Sequence, residues 1–185
     1  MSGKLLQKTI SNSSDLLQSD RVRHVLIFFA GAMAMVLHET FRFGLELPGR
    51  QGLTLMAIMI FVRCSAPYAY TATLAGAGGL VAALVVRNNP EAAVIMISQG
   101  FLLDLSYRAL SRNLSMLWLL PLAAGVIHMV KPLFKFGLII MAGAEENTFR
   151  HGLGYPFITH FLFGCVGGLI GFMAWLSLKK QQKLK

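Results

Sequence analysis

Charge is what this sequence has least of. Only 14% of its 185 residues are Asp, Glu, Lys or Arg, where soluble domains usually carry ~25%. With 55% hydrophobic residues, a water-soluble fold of this length would struggle to hide its apolar surface. Cysteine is nearly as scarce. Cys64 and Cys165 form no CxxC pair, and no Cys/His cluster has metal-ligand spacing, so neither a metal nor a cofactor is expected. The two thiols are expected to be free and buried. A GxxxxGK[ST] phosphate loop is missing, so any energy source must come from a partner. The first 23 residues are polar, so no cleavable signal peptide is expected.

What remains is a series of apolar runs, and these predict an all-α polytopic membrane protein. Six candidate spans cover 24–38, 52–66, 69–86, 91–107, 114–142 and 156–178, each bounded by charge, Pro or Gly. The domain plan is a polar segment 1–23, a six-helix membrane domain 24–178 and a basic tail 179–185. The fifth segment is too long for one straight span, and Pro121 and Pro132 predict a kink in it or a break near "KPLFK".

The net charge of +9 does not signal nucleic acid, because the basic residues sit at the edges of apolar runs rather than on one face among aromatics. With both termini inside, eleven Lys and Arg fall on the inner side and four on the outer, counted from the sequence. That bias predicts cytoplasmic N and C termini in a bacterial inner membrane. Arg63, near a helix end, is expected to snorkel to the surface.

Polar side chains within the spans are the informative ones, since an ionisable group in hydrocarbon is costly. Gln99 lies mid-span. Asp104 and Arg108 are four apart, which predicts a local ion pair on one helix face. His128 and Lys131 share a face one turn apart and could bind an anionic or hydrogen-bonding group, although a lysine snorkelling to the headgroups would look the same. His160, beside Tyr155 and Phe157, could form a stacking wall for a flat heterocycle. An aromatic belt at the interface is the alternative reading. On the first span, Ala30 and Ala34 stand four apart around Gly31 and Ala32. Such small-residue faces serve close helix packing, either inside the bundle or against another membrane protein.

Six short spans, termini inside, the AxxxA face and the "QGFLLDL" of span four resemble the substrate-binding S component of energy-coupling factor (ECF) transporters. The resemblance implies capture of a water-soluble vitamin or vitamin precursor from outside. It implies docking through Ala30 and Ala34 onto a transmembrane coupling subunit driven by two ATPases, with no catalysis by the chain itself. It also implies an outward-facing pocket. His38, Glu39, Arg42, Glu46 and Arg50 of the first outer loop, with Gln99, His128, Lys131, Tyr155, Phe157 and His160, would suit that pocket, and the turn at Pro48–Gly49 would suit a lid.

A second resemblance points elsewhere. "EENTFRHG", from Glu145, fits the EExxxR pattern of CAAX-type intramembrane proteases, in which paired glutamates activate water. That family needs further histidine-bearing helices, and the residues after Arg150 offer only His151 and His160. A polar loop is therefore the expected reading of Glu145 and Glu146. A non-transporting membrane scaffold of the same fold is the other alternative.

Overall fold

The computed structural model describes residues 19–40, 47–143 and 152–183. Among them every regular element is helical: α1 (Asp20–Thr40), α2 (Gly52–Ser65), α3 (Thr71–Arg87), α4 (Pro90–Ser111), a 3-10 turn (Leu114–Leu119), α5 (Leu120–His128), α6 (Val130–Ala142) and α7 (Gly154–Lys183). Local chemistry sets the α3–α4 corner. Asn88 ends α3 in the left-handed region at φ 48°, a conformation Asn tolerates better than most residues. Asn89 then caps α4 by accepting from the Ala92 N–H at 3.0 Å, and Pro90 takes the first turn, where its missing N–H costs nothing.

The helices pack as two interlocked sets. α1 lies on α3 and α3 on α4, while α2 and α5 both pack on α7. Small residues allow the closest crossing. A Cβ on Gly31 would overlap the Ala75 carbonyl of α3, and one on Gly78 would overlap the Phe28 carbonyl of α1. The two backbones therefore touch, the packing that suits helices whose association gains nothing from expelling water. This is where the α1 small face is used. Ala34 is fully buried within the chain, so it is not available as a surface docking residue in this conformation. Ala30 is half-buried and lines a groove with Leu26 and Phe61.

The outside of the bundle is apolar. Val85, Phe101, Ile140, Leu162 and Ile170 are among the exposed large side chains, an arrangement suited to lipid and ill suited to water. Three stretches are long and apolar enough to cross a membrane: Pro90–Ser111, Ser115–Met141 and Gly154–Gln182. α2 and α3, with 14 and 17 residues, are apolar but rise only ~21 and ~26 Å, short of the ~30 Å hydrocarbon core.

The fifth segment is divided at Met129, three residues before Pro132. Proline has no N–H to give the His128 carbonyl four residues back. α5 accordingly ends at His128, and α6 starts again at Val130. Asp20 of α1 and Lys179 of α7 flank the same loop, residues 66–70, through Tyr68 and a cleft beside Pro67. The start of α1 and the end of α7 thus lie at one end of the bundle.

Candidate functional site: a polar cavity and a buried clamp

Two polar clusters interrupt the apolar interior, one near each end. The first is a clamp joining α2, α3 and α4. Arg63 and Asp104 are 3% exposed each, and Arg63 Nε lies 2.8 Å from Asp104 Oδ1. Their approach is an ion contact rather than an aligned hydrogen bond, since Nε has no hydrogen-bond acceptor in line. Asp104 also accepts from the N–H groups of Ala72 (3.0 Å) and Thr73 (2.7 Å) and from the Thr73 hydroxyl (2.7 Å). A carboxylate from α4 thereby caps the first turn of α3, where helix N–H groups have no partner of their own. The Arg63 guanidinium stacks 3.8 Å from the Tyr107 ring centroid and donates to the Ala66 carbonyl at 3.2 Å.

These contacts correct two expectations. Arg63 does not snorkel: it is buried and paired, because its helix ends against Asp104 and Tyr107 rather than at the surface. Asp104 does not pair with Arg108 four residues on. Arg108 instead donates to the Ala69 carbonyl at 3.2 Å, because the i+4 position leads out to the exposed end of α4 while Asp104 faces α2 and α3. Spacing along one helix could not reveal a better partner on another.

The second cluster lines a cavity of about 130 Å³ between α1, α2, α4, α5 and α6. Its lower wall is Gln99 and His128, 2% and 1% exposed. The Gln99 Nε2 amide donates to His128 Nδ1 at 3.4 Å, which requires the ring proton on Nε2 when the imidazole is neutral. Gln99 Oε1 is buried without a hydrogen-bond partner among the described residues, and such an orphan acceptor is costly unless something else satisfies it. Met35, Leu55, Ile95 and Met96 form the apolar walls. Glu91, Lys131 and Lys135 stand at the more exposed mouth, with Lys135 Nζ 3.9 Å from Glu91 Oε1. Lys131 Nζ donates to Gln51 Oε1 at 3.5 Å.

A short turn, residues 48–52, sits on this wall. Gly49 takes φ 81°, the left-handed region that glycine enters without strain, and a Cβ there would come within 2.8 Å of His160. A Cβ on Gly52 would overlap His128 Nε2. His160, 3% exposed, lies behind His128 with ring centroids 5.0 Å apart, and its Nδ1 donates to the Pro156 carbonyl at 2.7 Å.

Of the residues singled out from the sequence, Gln99, His128 and Lys131 share the cavity, and His160 adjoins it through His128. Arg50, Tyr155 and Phe157 do not line it. Arg50 belongs to the turn, where its carbonyl accepts from the Leu53 N–H at 3.2 Å. Arg42, Glu46, Glu145, Glu146 and His151 lie outside the described residues, as do the side chains of His38 and Glu39. Sequence reasoning missed Gln51, Glu91 and Lys135. Lys135 had a readable signal, because it stands four residues from Lys131 on the same helix face. Among the described residues, no three His, Cys, Asp or Glu side chains group as metal ligands.

Comparison of the chain with family models, with curated proteins and with solved structures found no match.

Proposed function

We propose that this protein binds a small water-soluble solute in the cavity above Gln99 and His128 and serves its uptake across a membrane. The observation that carries this reading is the buried Gln99 acceptor at the base of a cavity whose mouth holds Glu91, Lys131 and Lys135. An unsatisfied acceptor is costly in a bundle with an apolar exterior, and polar groups at this depth are characteristic of ligand sites. Binding rather than catalysis is the activity proposed.

The resemblance to ECF-type S components supports a fuller proposal. Its parts are a vitamin or vitamin precursor as solute, six spans with cytoplasmic termini in a bacterial inner membrane, and a coupling subunit with two ATPases as partner. Docking would use the α1–α2 groove lined by Ala30, because Ala34 is occupied by internal packing.

Native mass spectrometry of the full chain released from detergent is the direct test. A single small molecule retained by the protein, and lost from Gln99→Leu, is the expected result. A protein that stays empty against a panel of vitamins, yet copurifies with membrane partners, would refute solute binding and favour a scaffold. Ala30→Trp is expected to break association with a coupling subunit while leaving the bound solute in place. Labelling of single cysteines introduced at residues 3 and 185 checks the sidedness, and both are expected to react only from the cytoplasmic face.

A further inference from the structure

The end of the bundle that carries the clamp holds a wider opening than the cavity does. A cleft of about 380 Å³ lies where α2, the 66–70 loop, α4 and α7 meet, lined by Ser65, Pro67, Tyr107, Trp175, Lys179 and Gln182. Its depth in a membrane follows from α7. That helix runs 30 residues, or ~45 Å, and its stretch Gly154–Gln182 is long and apolar enough to cross. From Gly154 to Trp175 the axis rises ~32 Å, which matches the ~30 Å hydrocarbon core. Trp175 therefore falls at the boundary, where tryptophan is enriched, and Lys179 one turn further, among the headgroups.

Charge around the cleft is one-sided. Arg21, Arg23, Arg108, Arg112, Lys179 and Lys180 are all exposed at this end of the bundle. Against them stands Asp20, which already accepts from the Tyr68 hydroxyl, while Asp104 is buried and engaged by Arg63. Lys179 Nζ sits 4.8 Å from the Trp175 ring centroid. That cation–π contact holds the ammonium at the cleft without neutralising it, and no carboxylate pairs with it among the described residues. The Tyr107 ring is pinned by the Arg63 guanidinium, and the Ser65 hydroxyl is spent on the Phe61 carbonyl at 2.7 Å. Lys179, the Gln182 amide and the Tyr107 hydroxyl are the donors left to a ligand.

We infer that this cleft binds the headgroup of an anionic phospholipid, its phosphate on Lys179 Nζ and its acyl chains left in the bilayer. Basic pockets between helices at this level suit such headgroups. A soluble anion meets the lysine but gains nothing from Trp175, Leu178 and Pro67, which also line the cleft. A lipid sets its glycerol and first methylenes against them. The inference is independent of the solute-binding reading, because the cleft and the cavity lie at opposite ends of α4, and either can fail alone.

The test is native mass spectrometry of the full chain in neutral detergent, titrated with dioleoyl phosphatidylglycerol or with dioleoyl phosphatidylcholine. Expected is retention of phosphatidylglycerol in preference to phosphatidylcholine. Lys179→Met should weaken that retention about fivefold, the size of one basic residue near an anionic surface. Lys179→Arg should keep the lipid, and Lys180→Met, outside the lining, should hardly change it. Thermal unfolding gives a second readout: phosphatidylglycerol should raise the wild-type melting temperature, and raise it less in Lys179→Met. Equal retention of the two lipids overturns the inference. So does a loss in Lys180→Met as large as that in Lys179→Met, which would mark diffuse surface charge rather than a built site. Displacement of the lipid by inorganic phosphate at matched concentration would make the ligand a soluble anion and overturn the lipid assignment.

Discussion

Gln99 offers a contrast between stability and function at the scale of one residue. Its Oε1 is buried and without a partner among the described residues, a desolvation cost of ~1–3 kcal/mol that leucine removes. Leucine also takes the Nε2 donor away from the buried His128 Nδ1, a loss of similar size. Because the two effects oppose each other, Gln99→Leu is expected to melt close to the wild-type temperature while losing solute binding at least about tenfold. A thermal unfolding curve beside a binding isotherm checks both, and a lower melting temperature would show that the amide is structural. Asp104 should behave in the opposite way. Removing one partner of a buried ion pair costs about 3–5 kcal/mol because the other charge is stranded, and here α3 also loses its cap. Asp104→Leu is expected to destabilise strongly, and Asp104→Leu with Arg63→Met to recover part of the loss. Fluorescence-detected gel filtration after graded heating would measure the series with Arg63→Met alone, and a double variant whose loss is the sum of the two single losses would mean that the two side chains act independently.

At the scale of elements, the α1–α3 crossing depends on backbone contact at Gly31 and Gly78. Gly78→Leu must push α1 away from α3, since the clash is with the Phe28 carbonyl and not with a mobile side-chain tip. The expected outcome is a poorly folded or aggregated protein, and a normal elution profile would contradict the close crossing. The loop at the end of α2 carries a pH-sensitive tie. Tyr68 donates to Asp20 Oδ1 at 2.6 Å, and that hydrogen bond, followed by desolvation, raises the phenol above its ordinary value. A raised phenol stabilises the fold while protonated. Its contribution is complete below the unfolded value of ~10 and fades as pH climbs through the higher folded value. Melting of the wild type should therefore fall at strongly alkaline pH, and Tyr68→Phe should reduce that part of the fall.

The helical elements were legible in the sequence because apolar runs and punctuating residues set them: Asn89-Pro90 opens α4, and Pro132 accounts for the break at Met129. Gln99, His128 and Lys131 were legible as polar residues at membrane depth. Their meeting in one cavity was not, since it depends on how α4 packs against α5 and α6. The Arg63–Asp104 clamp was misread for the same reason. A four-residue spacing proposes a neighbour on the same helix, whereas the actual partner was forty-one positions earlier in the chain, on α2.

At the scale of the whole molecule, the clamp and the cavity occupy opposite ends of α4, with the clamp tying α2, α3 and α4 where the cavity is absent. On the proposed function, a solute in the cavity does not touch the clamp, and the Asp104 variants should lose stability before they lose affinity. The clamp also has a bearing on how the chain is made. Asp104 caps α3 from 31 and 32 residues further along, so during synthesis α3 emerges with its first turn open and Arg63 without its counter-charge. Neither is completed until α4 leaves the ribosome. Nascent chains arrested before residue 104 should keep α2 and α3 accessible to protease, and chains arrested after α4 has cleared the exit tunnel should protect all three together. The protein would then enter its membrane in units of three helices rather than one at a time.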